Sequence, residues 1–102
     1  MSAARLEIAG EMTIYRAAEL KALLLDAVDK QAQVDVDLSQ VSEIDTAGVQ
    51  LLMLAKRVAE GRGRVFRLHA HSPAVLEVFE LIGVAAFFGD LLVISESNFE
   101  AR

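Results

Sequence analysis

The chain alternates between two hydrophobic periods, and this alternation predicts strands and helices in turn. Residues 6–9 and 34–38 alternate apolar and polar side chains, which is the period-2 signal of a half-buried strand. Residues 15–30 instead repeat apolar side chains at helical spacing. Gly10 is expected to break the first strand, after which residues 11–12 resume a second short strand or finish a hairpin.

The second half of the chain continues the alternation. Helical spacing runs from Gly48 to near Glu60, and residues 64–70 alternate again as a strand. Ser72 and Pro73 are typical of a helix start, where a capping hydroxyl precedes proline at the first helical position. Beyond this third helix the sequence predicts two core-closing aromatic residues, a final edge strand and a polar tail that is frayed or helical: Phe87 and Phe88, residues 91–94, and residues 95–102.

This order of elements predicts an α/β domain. Strands that alternate with helices favour parallel pairing, because a parallel neighbour is reached through a crossover connection. The shortness of the first strands suggests one antiparallel member. The expected sheet is therefore mixed and mostly parallel, with four or five strands and three to four helices. At 102 residues, the sequence (1–102) is expected to form one domain.

Residues 37–52 carry the candidate chemistry. Residues 39–43 are mostly polar and turn-forming, so a loop is predicted there. Asp45 is a good N-cap because its carboxylate can accept from amides of the first helical turn, where Thr46 then lies. A helix N-terminus favours anions, so a phosphate on Thr46 would meet an attractive field. Repulsion from Asp45 and Asp37 would oppose that attraction.

A helical wheel divides the following helix into two faces. One face is an apolar stripe expected to meet the core: Leu51, Leu54, Ala55, Val58 and Ala59. Thr46, Val49 and Met53 fall on roughly the opposite side, beside Gln50, where they suit a docking surface. The wheel leaves a second interpretation open, in which Val49 and Met53 are ordinary scattered surface hydrophobes. The docking interpretation requires an exposed Thr46 hydroxyl and outward-facing Val49 and Met53.

Composition and charge exclude several classes of function. A net charge of −5 and a pI near 4.9 argue against a nucleic-acid partner. The absence of cysteine excludes disulfides and thiolate metal sites. No apolar run approaches the roughly 18 residues of a membrane helix, and the N-terminus lacks the apolar region of a signal peptide. We therefore expect a cytoplasmic protein that is not membrane-embedded.

The sequence contains no phosphate-binding glycine loop, nucleophile elbow or zinc-protease spacing. His69 and His71 would share one face of a strand, but no third ligand accompanies them, so neither a metal nor a cofactor is predicted. Asp37 and Asp45 are better explained as a strand end and a helix cap than as a catalytic acid pair. A binding protein is therefore expected rather than an enzyme.

The same residues carry a family resemblance. The pattern Asp-Leu-Ser-x-Val-x-x-Ile-Asp-Thr-Ala-Gly-Val at residues 37–49 resembles the STAS domain. That family includes bacterial anti-sigma factor antagonists, the STAS subunit of a lipid-transport ABC system and the tails of anion transporters. The resemblance covers nearly the whole chain, and its most specific part is the Asp-Thr-Ala-Gly segment. It implies the same α/β architecture, with helices mainly on one face of the sheet.

The resemblance also implies a partner switch. In anti-sigma factor antagonists, a kinase-type anti-sigma factor docks on the hydroxyl-bearing helix and phosphorylates the residue that matches Thr46 here, which releases the partner. The partner-binding residues implied are Asp45, Thr46, Ala47, Gly48, Val49, Gln50 and Met53. Supporting roles are implied for Asp37, Ser39 and Thr13, although Thr13 has the alternative of serving only as a helix cap.

Two other pathways remain open. Many antagonists carry a second serine where this chain has Ala47, and Asp-Thr-Ala-Gly is also similar to the lipid-transport subunit, whose partner is a transporter ATPase. Residues 11–15 and 71–76 resemble small STAS proteins of chemosensory or two-component pathways, where the partner is a signalling kinase. Direct binding of a nucleotide or a lipid is a further alternative, and the net acidic charge and the absence of lysine and arginine from the junction loop make a nucleotide less attractive. Both a monomer and a weak homodimer fit the sequence.

Overall fold

The computed structural model describes residues 3–82, and these residues form three strands and three α-helices. In chain order they are β1 (Ala3–Met12), α1 (Ala17–Lys30), β2 (Gln33–Ile44), α2 (Thr46–Gly61), β3 (Val65–His69) and α3 (Pro73–Ile82). A single 3-10 turn, Ile14–Arg16, leads from β1 into α1. The predictions for Phe87, Phe88, residues 91–94 and residues 95–102 lie outside the described residues.

The three strands form a parallel sheet in the order β1-β2-β3. Ala3 lies opposite Gln33, which in turn lies opposite Val65. Helix α1 connects β1 to β2, and α2 connects β2 to β3, as parallel neighbours require. The predicted α/β class is therefore confirmed.

All three helices cover the same face of the sheet. Apolar side chains from one face of each strand point into a single hydrophobic cluster that also takes side chains from α1, α2 and α3. Its members from the strands and helices include Ile8, Met12, Val34, Val36, Leu38, Phe66 and Leu68, with Leu20, Leu24, Val28, Val49, Leu52, Ala55, Val75 and Phe79. Because one cluster unites these elements, the expectation of helices on one face is confirmed.

The opposite face of the sheet is polar and carries an ion pair and a histidine–carboxylate contact. Arg5 Nη2 donates to Asp37 Oδ2 at 2.9 Å, and His69 Nε2 lies 3.0 Å from Asp35 Oδ1. Hydrogen bonds from Ser39 and then from Arg5 lower the pKa of Asp37. Burial raises the pKa of Asp35, but hydrogen bonds from His69 and Gln33 outweigh it, so this pKa is also lowered.

Two local predictions about the strands are wrong. Gly10 adopts a φ of +83°, which lets β1 continue instead of ending, so the hairpin and the antiparallel member drawn from it are not present in residues 3–82. The loop predicted for residues 39–43 is part of β2. The pairing of β1 with β2 shifts register twice in this region, and the buried residues consequently fall three apart, at Leu38, Val41 and Ile44. Such bulges conceal a strand because they interrupt its period of two.

The two histidines do not share a strand face. Strand β3 ends at His69, and Ala70 adopts a left-handed φ of 55°, which turns the chain before His71. The His71 ring packs edge-on against Phe79 of α3, with ring centroids 5.8 Å apart. Burial, and secondarily the charge of His69, lowers the pKa of His71 to about 4. Among the described residues no three metal-ligating side chains come together, and none of the described helices is long and apolar enough to cross a membrane.

Candidate functional site

The junction between β2 and α2 is organised by the carboxylate of Asp45. Its Oδ1 atom accepts a hydrogen bond from the Gly48 N–H at 3.1 Å, which confirms the predicted N-cap. Its Oδ2 atom accepts from the Ile14 N–H, also at 3.1 Å. One side chain therefore joins the first turn of α2 to the turn that follows β1.

Gly48 allows α2 to approach β1 closely. A Cβ atom at this position would lie 2.2 Å from the Met12 carbonyl oxygen and 2.9 Å from Cγ1 of Ile44. Either separation is shorter than van der Waals contact, so only glycine fits here without a shift of the backbone. Gly48 is itself buried, and its part in the motif is to seat the helix rather than to touch a partner.

Thr46 is the first residue of α2 and its side chain is exposed, as the docking interpretation requires. The first amides of a helix carry a partial positive charge that extends into solvent at this position. Ala47 beside it is half-buried, and Gln50, one turn later, is exposed. These three residues lie on the accessible side of the helix start.

The predicted orientation of α2 is wrong by roughly a quarter turn. Val49 was expected to face outward but is only 1% exposed, and Leu52, which is not in the predicted stripe, also faces the core. Ala55 and Ala59 of the predicted stripe are buried as expected. Met53 is half-buried and packs against the core, so the outward-facing Val49 and Met53 that the docking interpretation required are not observed. Leu51, expected inside, is only half-buried.

The wheel failed because the apolar side chains of α2 span a broader arc than the face that meets the sheet, while Gln50, Arg57 and Glu60 lie on the remaining side. The close approach at Gly48, rather than the apolar pattern, decides which side meets the sheet.

An apolar groove takes the place of the predicted Val49 patch. It lies between α2 and the start of α1, has a volume of about 570 Å³, and we call it the α1–α2 groove. Its lining residues are Ile14, Ala17, Lys21, Ala47, Gln50, Leu51, Met53, Leu54 and Arg57. Ile14 and the adjacent Tyr15 are 63% and 90% exposed, so this end of the groove presents large hydrophobic side chains to solvent.

Sequence reasoning missed the contribution of Ile14 and Tyr15. The available signal was two large hydrophobic residues directly after the Thr13 cap, ahead of the apolar stripe of α1. Arg16 braces the turn that carries them, because its Nη1 atom donates to the carbonyl oxygens of Ala9 at 2.8 Å and Glu11 at 2.7 Å. The turn is therefore fixed at both ends, by Arg16 on one side and by Asp45 on the other.

The three residues given supporting roles do not lie at the exposed helix start. Thr13 is 4% exposed, accepts from the Tyr15 N–H at 3.3 Å and donates to Glu11 Oε1, so its alternative role as a cap is the one observed. Asp37 Oδ1 accepts from the Ser39 N–H at 2.8 Å on the sheet. Asp37 precedes the end of β2 by seven residues, roughly 20 Å of extended chain, so its charge is too distant to repel a group on Thr46.

Comparison with known families agrees with this architecture. Residues 1–93 match the family model STAS_2, described as "Mlab, STAS domain". Because this match spans most of the chain, the protein belongs to the STAS domain family. STAS domains are generally non-catalytic binding modules. A comparison with curated proteins gives no significant match.

Several solved structures share the fold. The unphosphorylated anti-sigma factor antagonist SpoIIAA superposes with a TM-score of 0.69 at 20% identity, over 84% of this chain and 77% of that one. The phosphorylated SpoIIAA of Bacillus, a cell fate determinant, gives 0.65 at 19% identity over 96% and 89%. A sulfate transporter family protein from Wolinella succinogenes gives 0.71 at 22% identity over 86% and 72%. At these identities the similarity establishes the fold.

Proposed function

We propose that this protein is a non-enzymatic regulator that binds a protein partner at the start of α2, and that phosphorylation of Thr46 weakens this binding. The observation that carries the proposal is an exposed hydroxyl on the first residue of a helix, beside an apolar groove. Ile14 is held next to this hydroxyl by its hydrogen bond to Asp45. A partner that covers the exposed apolar side chains would therefore also contact Thr46.

A phosphate at Thr46 would change the charge of this surface. It adds about −1.5 to −2 charges at pH 7. The helix N-terminus attracts it, but the Asp45 carboxylate already accepts from the Gly48 amide and stands beside the new charge. Burying such a group under a partner costs several kcal/mol without new pairing, and about 1.4 kcal/mol already changes affinity tenfold.

The comparisons support the proposal through the relatives' own descriptions. SpoIIAA is an anti-sigma factor antagonist with structures in unphosphorylated and phosphorylated forms, and it shares this fold.

The loss of Val49 from the docking surface changes the proposed contact set. Thr46, Ala47, Gln50 and Met53 remain in it, Ile14 and Tyr15 join it, and buried Gly48 and Val49 leave it.

A second candidate is a constitutive subunit that binds a transporter ATPase through the same surface without modification. Two observations favour it: Ala47 stands where many antagonists have a second serine, and the matching family model is described as "Mlab, STAS domain". A signalling kinase of a chemosensory pathway is a third type of partner. The identity of the captured partner separates the three.

The test is quantitative affinity capture from extract of the source cells, with the wild-type chain, Thr46→Ala and Thr46→Glu. Ser42→Glu is the matched control, because Ser42 is an exposed hydroxyl residue on β2. We expect Thr46→Ala and Ser42→Glu to retain the partner and Thr46→Glu to lose it. Peptide mass mapping of protein from native cells should find one phosphate on Thr46. Equal capture by all four proteins contradicts the switch and favours the constitutive subunit.

A further inference from the structure

We propose that the α1–α2 groove binds an acidic amphipathic helix of the protein partner, with Lys21 and Arg57 contacting its carboxylates. This inference rests on the proposed function, because it specifies the partner of the same surface. Both cations belong to the groove lining and both are exposed. Among the residues that the structure describes, no others in that lining are charged.

The charge of the groove contrasts with that of the whole protein. The chain carries a net charge of −5, so its average surface repels acidic segments. In the described part of the groove lining, Lys21 on α1 and Arg57 on α2 contribute positive charge and the other residues are uncharged. Apolar anchors flanked by carboxylates complement such a surface, whereas basic segments would be attracted elsewhere.

The length of the α1–α2 groove suits about two turns of a partner helix. Helices α1 and α2 each return from the end of one strand to the start of the next parallel strand, so they run in the same direction. Ala47 and Arg57 are ten residues apart on α2, which is about 15 Å along its axis. A partner helix that places side chains at i, i+3 or i+4, and i+7 spans about 10 Å and fits within this length.

The openness of the groove favours a helix over an acyl chain. Sites for small apolar ligands generally enclose most of the ligand surface, whereas this groove is open to solvent. Ala17 and Ala47 keep its two sides shallow at the Thr46 end. A phosphate on Thr46 would then lie at one end of the bound helix and repel its carboxylates, so the same groove explains how the modification acts.

The experiment is selection of a phage library of helical 16-residue peptides on the wild-type protein, followed by fluorescence anisotropy of the selected peptides. We expect apolar residues at i, i+3 or i+4, and i+7, with Asp and Glu enriched at flanking positions. Lys21→Glu with Arg57→Glu should weaken these peptides by roughly tenfold or more. The same double variant should select basic peptides instead. The matched control is Lys30→Glu with Arg67→Glu, which makes the same charge change outside the groove lining and should leave affinity unchanged.

Several outcomes overturn the proposal. One is a peptide set without acidic enrichment, or binding that the groove variant and the control variant alter equally. Another is a selection that yields no peptide, together with phosphatidylglycerol vesicle binding that is present in the wild-type protein and lost in the groove variant (Lys21→Glu with Arg57→Glu). That result assigns the groove to an anionic lipid. Concentration-dependent dimerisation lost in the same variant assigns it to a second copy of this chain.

The same assay separates this inference from the phosphorylation switch. If the groove variant weakens the peptides but Thr46→Glu does not, the helix site stands and the switch is wrong. If Thr46→Glu abolishes capture of the native partner while the groove variant captures it fully, the switch stands and the helix site is wrong.

Discussion

The side chain of Asp45 and the backbone N–H of Ile14 are joined by a 3.1 Å hydrogen bond across 31 positions of sequence. The same carboxylate caps α2 through Gly48. A helix cap thereby becomes a tertiary contact, because it also sets where the exposed Ile14 and Tyr15 side chains stand relative to Thr46. Asp45 therefore positions both parts of the surface around Thr46, which are the start of α2 and the turn that carries Ile14 and Tyr15.

Replacing Asp45 should therefore affect stability and the shape of the surface together. We expect Asp45→Ala to lower the free energy of unfolding by about 1–2 kcal/mol, because both amides lose their acceptor. Urea unfolding measures this loss, and amide hydrogen exchange should accelerate at Ile14 and Gly48. Asp26→Ala is the control, since Asp26 only pairs with Lys30 on the exposed side of α1 and should change stability by less than about 0.5 kcal/mol. Equal effects of the two variants contradict the bridging role.

Gly48 provides a test of how closely α2 is seated. Gly48→Ala should lower the free energy of unfolding by roughly 3 kcal/mol or more, because the new methyl group would overlap the Met12 carbonyl oxygen. The better helix propensity of alanine, worth about 1 kcal/mol, is too small to compensate. Chemical denaturation gives the comparison.

Gly61 supplies the control for that change. It is the last residue of α2, and a Cβ there meets nothing within 4 Å. Gly61→Ala should be neutral or slightly stabilising, by up to about 1 kcal/mol. Equal changes in the free energy of unfolding for the two alanine variants would contradict overlap with the Met12 carbonyl oxygen as the reason for glycine at position 48.

Val49 and Gln50 are neighbours in sequence with opposite expected effects. Val49→Ala should cost about 2 kcal/mol of stability because it leaves a cavity in the core. Gln50→Ala should change stability by less than about 0.5 kcal/mol but weaken partner capture, because Gln50 is exposed on the groove. Thermal unfolding and the capture assay, applied to both variants, measure the two effects. A Val49→Ala protein of wild-type stability would contradict the observed orientation of α2.

His71 should make stability depend on pH between about 6.5 and 4. Its pKa is 6.5 in the unfolded chain and about 4 in the folded protein, so the unfolded state binds more protons in this window. Stability should therefore decrease as the pH falls through the window, by up to about 2 kcal/mol, less than the full pKa difference because the ring is only partly buried.

His71→Gln tests this assignment, because the urea midpoint of that variant should change less than that of the wild-type protein over the same window. Asp35 and Asp37 have lowered pKa values, so their contribution is lost only below about pH 4. A wild-type protein with constant stability from pH 6.5 to 4 contradicts the burial of His71.

Local chemistry was sufficient to predict many of the elements. Ser72 caps α3, with the Val75 N–H donating to its Oγ at 3.2 Å, and Thr13 and Asp45 cap their helices as expected. These predictions succeeded because a capping oxygen bonds to amides two or three residues away, and sequence spacing alone fixes that geometry. The α/β class followed similarly from the alternation of periods.

The sequence by itself determined the caps, the order of elements and the exposed position of Thr46. Only the tertiary structure decided which part of the apolar side of α2 is buried, because that side is broader than the face that meets the sheet and the approach of Gly48 to Met12 fixes the rotation of the helix. It also decided that residues 39–43 continue β2, since register shifts against β1 break the period of two. The α1–α2 groove is also a feature that only the tertiary structure decided. Its two sides are distant in sequence, and no local pattern encodes the angle at which they meet.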